Sequence, residues 1–274
     1  MKIGIVNASS RFSRERGAAV EAWLASHLPA GVEAVIHPAS YAEHGHFGGD
    51  DAGRAAAFVE YANDPAIDAI WFARGGYGAC RIAETVLPQL TGVARAKRYL
   101  GYSDAGTLLA ALYRAGFPHV AHGPMASDAL RGDEAGPRAL AWLTRGDPAS
   151  WEPSLHDDPR PAAAFNLSIL GALVGTVLEP DLTGHVLMLE EVCEPLYRVD
   201  RMMFHLTGQA SIRRAAGIRL GRVSEVVEND PEFGMTAEEI VQDWCARSGI
   251  PYLGAADIGH DPANRVVPFG PRGA

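Results

Sequence analysis

The sequence is poor in the features that mark several common protein classes. Its three cysteines, Cys80, Cys193 and Cys245, lie far apart and form neither a CxxC pair nor an even-numbered disulfide framework. No apolar run approaches the roughly 18 residues of a membrane-spanning helix. The apolar run at the N-terminus is too short for the core of a signal peptide. These absences predict a cytoplasmic protein that does not enter a membrane.

Basic residues are scarce relative to acidic ones. The chain has 274 residues, of which 24 are Lys or Arg and 33 are Asp or Glu, so its formal net charge at pH 7 is −9. An acidic protein has no general affinity for nucleic acid or for an anionic membrane surface. We therefore expect a small molecule or a peptide as the partner.

The sequence also lacks the usual nucleotide-binding loops. A glycine cluster, "RGGYG" (74–78), follows a predicted strand, but it does not match the phosphate-loop pattern G-x-x-x-x-G-K-[ST], and no GxGxxG opens a helix. We therefore predict no nucleotide cofactor. Glycines at a strand end still let a ligand approach the backbone amides. The cluster is thus either a tight turn, a phosphate cradle or a donor of N–H groups to developing negative charge.

The chain does contain short β-branched runs that alternate with longer amphipathic stretches. Residues 2–6 ("KIGIV") and 66–73 ("AIDAIWFA") have the composition of strands, and residues 52–63 ("AGRAAAFVEYAN") that of a helix. This alternation predicts parallel βαβ units and hence an α/β fold with an open sheet.

A segment rich in proline and aspartate divides the chain. Residues 149–163 have no apolar period, which is typical of a linker. We therefore predict an N-terminal α/β lobe over residues 1–148, a C-terminal α/β lobe over residues 164–274, and a ligand-binding cleft between them.

The stretch "GYSD" (101–104) places a serine where a predicted strand gives way to a helix. Ser103 there has the layout of a nucleophile elbow, although the following glycine, Gly106, comes one residue later than G-x-S-x-G requires. A Ser-Asp pair before a helix is also a common N-cap. The residues themselves leave both roles open for Ser103.

A serine nucleophile needs a base, and the base needs an acid that orients it. Among ten histidines, His260 lies just past a predicted strand in a glycine-flanked loop, where functional side chains are often found. His44 and His46 form a His-x-His pair without other metal-ligand spacing, so surface residues are the simpler interpretation and we predict no metal site. Glu190 ends a buried strand, where a carboxylate must be paired or functional.

Two further acidic residues follow closely. Glu191 and Glu194 are either solvated or paired with Arg198 or Arg201. The order Ser103, Glu190, His260 is the chain order of the triad in α/β-hydrolases.

Five segments together resemble the LD-carboxypeptidases, a family of serine peptidases. They span roughly residues 58–270 and read "ARGGYGACRI", "GYSD", "HGPM", "LMLEEVCEPLYRVDRM" and "GHDPANRVVPFG". The resemblance implies a Rossmann-like N-terminal lobe that carries the nucleophile and a C-terminal lobe that carries the other two triad residues, with the active site between them. It also implies a homodimer.

Carried over to this sequence, the family pattern implies a catalytic triad of Ser103, Glu190 and His260. It implies an oxyanion hole formed by the backbone N–H of Asp104 and of one glycine in "RGGYG", for which we choose Gly76.

Two more residues are candidate substrate contacts. Arg74 is a cation suited to the free carboxylate of an exopeptidase substrate, and a purely structural role is equally open for it. Asn166 lies in "AAAFNL", where the family usually has a glycine pair before "NL".

The activity implied by the resemblance is release of the C-terminal D-alanine from murein tetrapeptides during peptidoglycan recycling, without a cofactor. One alternative is a microcin C self-immunity peptidase, which cleaves peptidyl or aminoacyl nucleotide analogues. A second alternative, from another class, is a small-molecule-binding protein that keeps the fold without turnover.

Overall fold

The computed structural model describes residues 1–272 and contains ten strands and nine α-helices within them. The strands are β1 (Lys2–Val6), β2 (Glu33–Ile36), β3 (Ala69–Phe72), β4 (Arg98–Gly101), β5 (Val120–His122), β6 (Ala162–Asn166), β7 (Val186–Val192), β8 (Gly217–Ser224), β9 (Tyr252–Ala255) and β10 (Val267–Pro268). The helices are α1 (Arg14–His27), α2 (Asp51–Asn63), α3 (Cys80–Val86), α4 (Gly92–Arg95), α5 (Gly106–Arg114), α6 (Ala135–Arg145), α7 (Leu167–Leu173), α8 (Leu196–Gly208) and α9 (Ala237–Ser248).

The N-terminal half forms a doubly wound sheet in the order β10-β5-β4-β3-β1-β2. Its strands are parallel except β10, which pairs antiparallel with β5. All four residues of β3 are fully buried because helices cover both faces of the sheet. The strand order reverses between β1 and β3, and ligands bind outside the carboxyl ends of the strands at such a point.

The C-terminal half forms a second parallel sheet in the order β6-β7-β8-β9. One hydrophobic cluster runs from Phe72 of the first sheet through Leu109 of α5 and Phe165 of β6 to Leu189 of β7. The two sheets therefore share a core. The α/β class with two sheets, predicted from the sequence, is confirmed.

The predicted boundaries differ from the structure at both ends of the C-terminal lobe. Strand β6 begins inside the predicted linker 149–163, and the preceding residues form short 3₁₀ turns that pack on the end of the chain, where the Glu152 N–H donates to the Val266 carbonyl at 2.9 Å. Strand β10 belongs to the first sheet. Residues 273 and 274 of the predicted lobe lie outside the described residues, and the division into two lobes stays a prediction.

No helix within residues 1–272 combines the length and the apolar character needed to cross a membrane.

Candidate active site

Ser103 lies in a strained turn at the carboxyl end of β4. Its φ is +55°, an unusual value for a residue other than glycine. Such backbone strain occurs at the nucleophile of a strand-turn-helix elbow. Within residues 1–272 the Ser103 hydroxyl accepts no hydrogen bond from the first turn of α5, and neither does the Asp104 carboxylate. The turn therefore exposes Ser103 without using it as an N-cap.

The glycine turn that follows β3 packs directly against this serine. A Cβ added to Gly75 would lie 2.9 Å from both Cβ and Oγ of Ser103, so only glycine fits there. Gly76 has a φ of +114°, which L-residues with side chains rarely adopt. The turn thus brings backbone amides to the nucleophile in a conformation that the glycines allow.

The Asp104 carboxylate links the Ser103 turn to the glycine turn by a hydrogen bond. Its Oδ2 accepts hydrogen bonds from the Ala79 backbone N–H at 2.8 Å and from the Ser9 hydroxyl at 2.5 Å. Burial raises the pKa of this carboxyl, although the same hydrogen bonds oppose the shift.

His260 and Glu190 form the closest side-chain pair of the site. His260 Nδ1 donates to Glu190 Oε2 at 2.6 Å, and Glu190 is completely buried at the carboxyl end of β7. Because Nδ1 carries the proton in this bond, the neutral imidazole has an unprotonated Nε2 with which to accept another proton.

The surroundings of His260 favour its protonated form. Burial works against the charged ring, but the hydrogen bond to Glu190 and the charges of Glu190, Glu191 and Asp128 outweigh it, so the pKa of His260 lies above its ordinary value. A base of this kind is suited to take a proton from a hydroxyl near neutral pH.

Ser103 and His260 line the same cavity of about 450 Å³, together with Gly75, Gly76 and Arg74. No hydrogen bond joins Ser103 Oγ to His260 within residues 1–272, and catalytic hydrogen bonds are often long before substrate binds. The structure therefore brings four of the predicted site residues, Ser103, His260, Gly76 and Arg74, to one cavity, with Glu190 directly behind the histidine.

The loop that carries His260 is fixed by ion pairs on both sides of the histidine. Arg222 Nη1 contacts Asp257 Oδ1 at 2.6 Å, and Arg222 Nε donates to Asp261 Oδ2. Arg265 adds a contact of 3.1 Å to Asp257. These arginines and aspartates hold the loop in the position that aims His260 at Glu190.

Three further buried residues lie near His260, and two of them, Tyr102 and Asp128, line the cavity. The Tyr102 ring centroid lies 4.7 Å from that of His260 and 5.3 Å from that of His122. Burial lowers the pKa of His122 to about 4, so this second histidine stays neutral. Burial raises the pKa of Asp128, whose Oδ2 accepts the Met125 N–H at 2.9 Å.

The other predicted residues take different places. Asn166 lies outside the cavity lining and caps α7, while its Nδ2 donates to the buried Glu191 at 2.6 Å. Glu194 pairs with Arg198 at 2.8 Å. His46 hydrogen-bonds Ser10 at 2.7 Å.

In the described part of the chain, no group of three or more His, Cys, Asp or Glu side chains could hold a metal ion.

Comparison with known proteins assigns the family. Residues 3–123 match the N-terminal domain of the LD-carboxypeptidases, and residues 163–273 match their C-terminal domain. The chain belongs to the LD-carboxypeptidase family. The family expected from the motifs is thereby confirmed, and it supports a serine carboxypeptidase as the kind of enzyme.

Two relatives in the family illustrate the range of similarity. A Synechocystis sp. protein whose name describes a carboxypeptidase is 30% identical over 250 residues, which cover 88% of this chain and 80% of that protein. The murein tetrapeptide carboxypeptidase of Pseudomonas aeruginosa is 27% identical over 228 residues, which cover 75% of this chain and 71% of that enzyme.

Solved structures of other proteins share the fold of this chain. The muramoyltetrapeptide carboxypeptidase of Oxalobacter formigenes superposes with a TM-score of 0.79 at 23% identity, covering 98% of this chain and 93% of that one. The microcin C7 self-immunity protein in complex with aspartyl sulfamoyl adenosine gives a TM-score of 0.81 at 18% identity, covering 98% and 91%.

Sequence reasoning missed Arg222, Tyr102, His122 and Asp128 around the site. Tyr102 and Asp128 were detectable in principle, because Tyr102 adjoins Ser103 in "GYSD" and Asp128 follows "HGPM" closely. Arg222 carried no local signal, since its partners lie more than 30 residues away in the chain.

Proposed function

We propose that the chain is a serine LD-carboxypeptidase that releases the C-terminal D-alanine from murein tetrapeptides through an acyl-enzyme. The observation that supports it most is the bond between His260 and the buried Glu190, beside a cavity that also contains a serine at positive φ. The murein peptide activities named for two family relatives suggest the substrate.

The proposed reaction begins at Ser103. Its Oγ attacks the scissile carbonyl while His260 Nε2 takes the hydroxyl proton, and the Glu190 carboxylate stabilises the imidazolium that forms. The carbonyl oxygen becomes negatively charged and is stabilised by the backbone N–H groups of Gly76 and Asp104. Neither N–H donates a hydrogen bond to another described residue.

The acyl-enzyme then forms and is hydrolysed, and His260 carries the proton in each step. His260 donates its proton to the leaving nitrogen, so D-alanine departs as an amine and the peptide remains as an ester on Ser103. Water attacks this ester while His260 takes its proton. His260 then returns the proton to Ser103 Oγ as the ester bond breaks, and the shortened peptide leaves with a new carboxylate.

The cationic side of the cavity suits a substrate with free carboxylates. Arg16, Arg74 and Arg131 all line it, within a protein whose net charge is −9. Burial and the neighbouring Arg16 both lower the pKa of Arg74. Two close cations favour an anion between them, so we assign Arg74 to the terminal carboxylate of the substrate.

We further propose a cytoplasmic location, because the three cysteines are unpaired, as is usual in a reducing compartment. The homodimer implied by the family resemblance stays a prediction, which the mass of the particle in solution tests.

The test is release of D-alanine from L-Ala-D-Glu-meso-diaminopimelate-D-Ala, measured for the natural protein and for Ser103→Ala. Turnover by the natural protein and loss of at least about 10³-fold in the variant are expected. Equal turnover by both would exclude the nucleophile. Absence of turnover by both, together with cleavage of an aminoacyl sulfamoyl adenosine by the natural protein, would support the microcin-type alternative instead. Binding of the tetrapeptide without cleavage of either compound would support a binding protein.

A further inference from the structure

The loop that follows β1 contacts both of the turns that carry the proposed oxyanion donors. Residues 7–10 ("NASS") leave the carboxyl end of β1, which neighbours β3 in the sheet, and β4 lies beyond β3. Because these strands are parallel, the loop, the glycine turn after β3 and the Ser103 turn after β4 meet at one edge. Ser9 is fully buried and Ser10 is 7% exposed.

Ser9 supports the turn that carries the nucleophile. Its hydroxyl donates to Asp104 Oδ2 at 2.5 Å, the oxygen that also accepts the Ala79 N–H. Asp104 is the residue whose backbone N–H we assign to the oxyanion hole. Ser9 therefore fixes that residue through its side chain.

Ser10 supports the glycine turn. Its Oγ accepts the Tyr77 backbone N–H at 3.0 Å and shares a hydrogen bond with His46 Nε2 at 2.7 Å. A Cβ added to Gly76 would lie only 2.1 Å from Ser10 Oγ, so this hydroxyl packs directly onto the Gly76 backbone. Ser10 thus holds Gly76 by contact and the next residue by a hydrogen bond.

The loop itself is held in place by Asn7. Its Nδ2 donates to the Ser10 carbonyl at 2.8 Å, and its Oδ1 accepts the Ser9 N–H at 3.3 Å. The Gly48 N–H donates to the Ser9 carbonyl at 3.0 Å. The two hydroxyls therefore project from a fixed backbone.

Preorganised donors are what make an oxyanion hole effective, because they spend no energy on reorientation during the reaction. A turn with three glycines has the greatest backbone freedom. It also has few side chains of its own that could hold the N–H groups in one orientation. External support is therefore needed where the turn must present an N–H at a fixed point.

We propose that Ser9 and Ser10 are positioning residues of the oxyanion hole, each holding one of its two backbone donors. His46 is the outer partner of Ser10. The proposal deepens the proposed function and rests on its assignment of Asp104 and Gly76. It gives a role to His46, whose His-x-His pattern with His44 had no assigned role.

The test separates support of the transition state from support of the fold. For Ser9→Ala and Ser10→Ala we expect kcat for D-alanine release to fall about 10- to 100-fold. The second-order rate with which a fluorophosphonate modifies Ser103 falls in parallel, because the phosphonyl oxygen occupies the same hole. The Kd of the intact tetrapeptide, measured in a Ser103→Ala background, stays unchanged.

Matched controls keep the test specific. Ser248→Ala removes a hydroxyl that donates to the Trp244 carbonyl in α9, outside the lining of the cavity, and leaves both rates unchanged. His46→Ala lowers both rates less than Ser10→Ala, and His46→Gln, which can still hydrogen-bond Ser10, restores them. Because His46 is exposed, we expect its variants to fold, so they still test the proposal if the serine variants do not fold.

Two results would overturn the proposal. One is a fluorophosphonate rate in Ser10→Ala and His46→Ala equal to that of Ser248→Ala. The other is a loss of tetrapeptide affinity that equals the loss of kcat. If the natural protein releases no D-alanine, the proposed function fails, whereas the fluorophosphonate rates still decide whether these residues support the hole.

Discussion

The candidate site has a nucleophile side, around the Ser103 turn, and a base side, around the His260 loop. Each side is stabilised by a different kind of interaction. On the nucleophile side, buried hydroxyl and backbone groups converge on the Asp104 carboxylate, which is 2% exposed. On the base side, the His260 loop is held by Arg222, Asp257 and Asp261, whose side chains are 34%, 35% and 29% exposed. Buried hydrogen bonds resist salt, whereas partly exposed ion pairs are screened by it.

The difference follows from where each side lies in the fold. The serine turn and the glycine turn end neighbouring strands of one sheet, so short side chains reach across. The His260 loop follows β9 at the edge of the second sheet and needs long charged side chains to reach its support. The nucleophile side therefore depends on buried hydrogen bonds, and the base side depends on ion pairs that salt weakens.

The largest effect is expected from breaking the pair that joins the base to its acid. Glu190→Gln removes the charge that stabilises the imidazolium and no longer fixes the proton on Nδ1, so kcat should fall about 10⁴-fold. The rate of D-alanine release measures this fall in kcat. Glu84→Gln, which changes an exposed residue of α3, is the control. A loss smaller than tenfold would contradict the role of Glu190.

On the nucleophile side, Gly75→Ala should lower kcat about 100-fold because its Cβ must displace Ser103, and a shift of about 1 Å has that cost. Gly92→Ala in α4 is the matched control, since an added Cβ there meets nothing within 4 Å. Similar activity of the two variants would show that the glycine turn does not set the position of the nucleophile.

On the base side, Arg222→Gln should lower kcat about tenfold, because the loop loses both of its ion pairs with this residue. Raising the ionic strength should lower the activity of the natural protein toward that of the variant and change the variant little. Arg247→Gln breaks an exposed pair with Asp243 and serves as the control. A salt response in Arg222→Gln as large as in the natural protein would refute this account.

The smallest effect concerns pH. Activity needs neutral His260, so the acidic limb of kcat/KM should have its midpoint above the ordinary imidazole value of 6.5. The protonated pair with Glu190 stabilises the fold below pH 6.5, and this contribution is lost as the pH rises through the raised pKa. His122, with a pKa of about 4, adds no limb near neutrality. A midpoint below 6.5 would contradict the assignment of His260.

Much of the nucleophile side was predictable from sequence because its signals are local. "RGGYG" and "GYSD" each follow a buried strand run, and parallel strands place their carboxyl ends at one edge. The choice between cap and nucleophile for Ser103 could not be made from the residues, since a serine before a helix suits both roles. The structure argues against the cap, because Ser103 has a positive φ and, within residues 1–272, its hydroxyl accepts no N–H from the first turn of α5. The role as nucleophile stays a proposal.

Other predictions lacked such signals. Strand β10 has two residues and no period, so its return to the first sheet could not be read from the sequence. Asn166 was predicted as a substrate contact from its motif, whereas the structure uses it to cap α7 and to hold Glu191. Its substrate role stays a prediction.

The sequence by itself determined the alternation of strands and helices, and with it the placement of Ser103 and the glycine turn at strand ends. Local periodicity and turn chemistry are sufficient for that. Tertiary structure alone decided that His260 meets Glu190, 70 residues apart, that Arg222 holds the histidine loop, and that Ser9 and Ser10 reach the neighbouring turns. Those contacts depend on which strands lie side by side within each sheet, and no local pattern encodes a partner so far away in the chain.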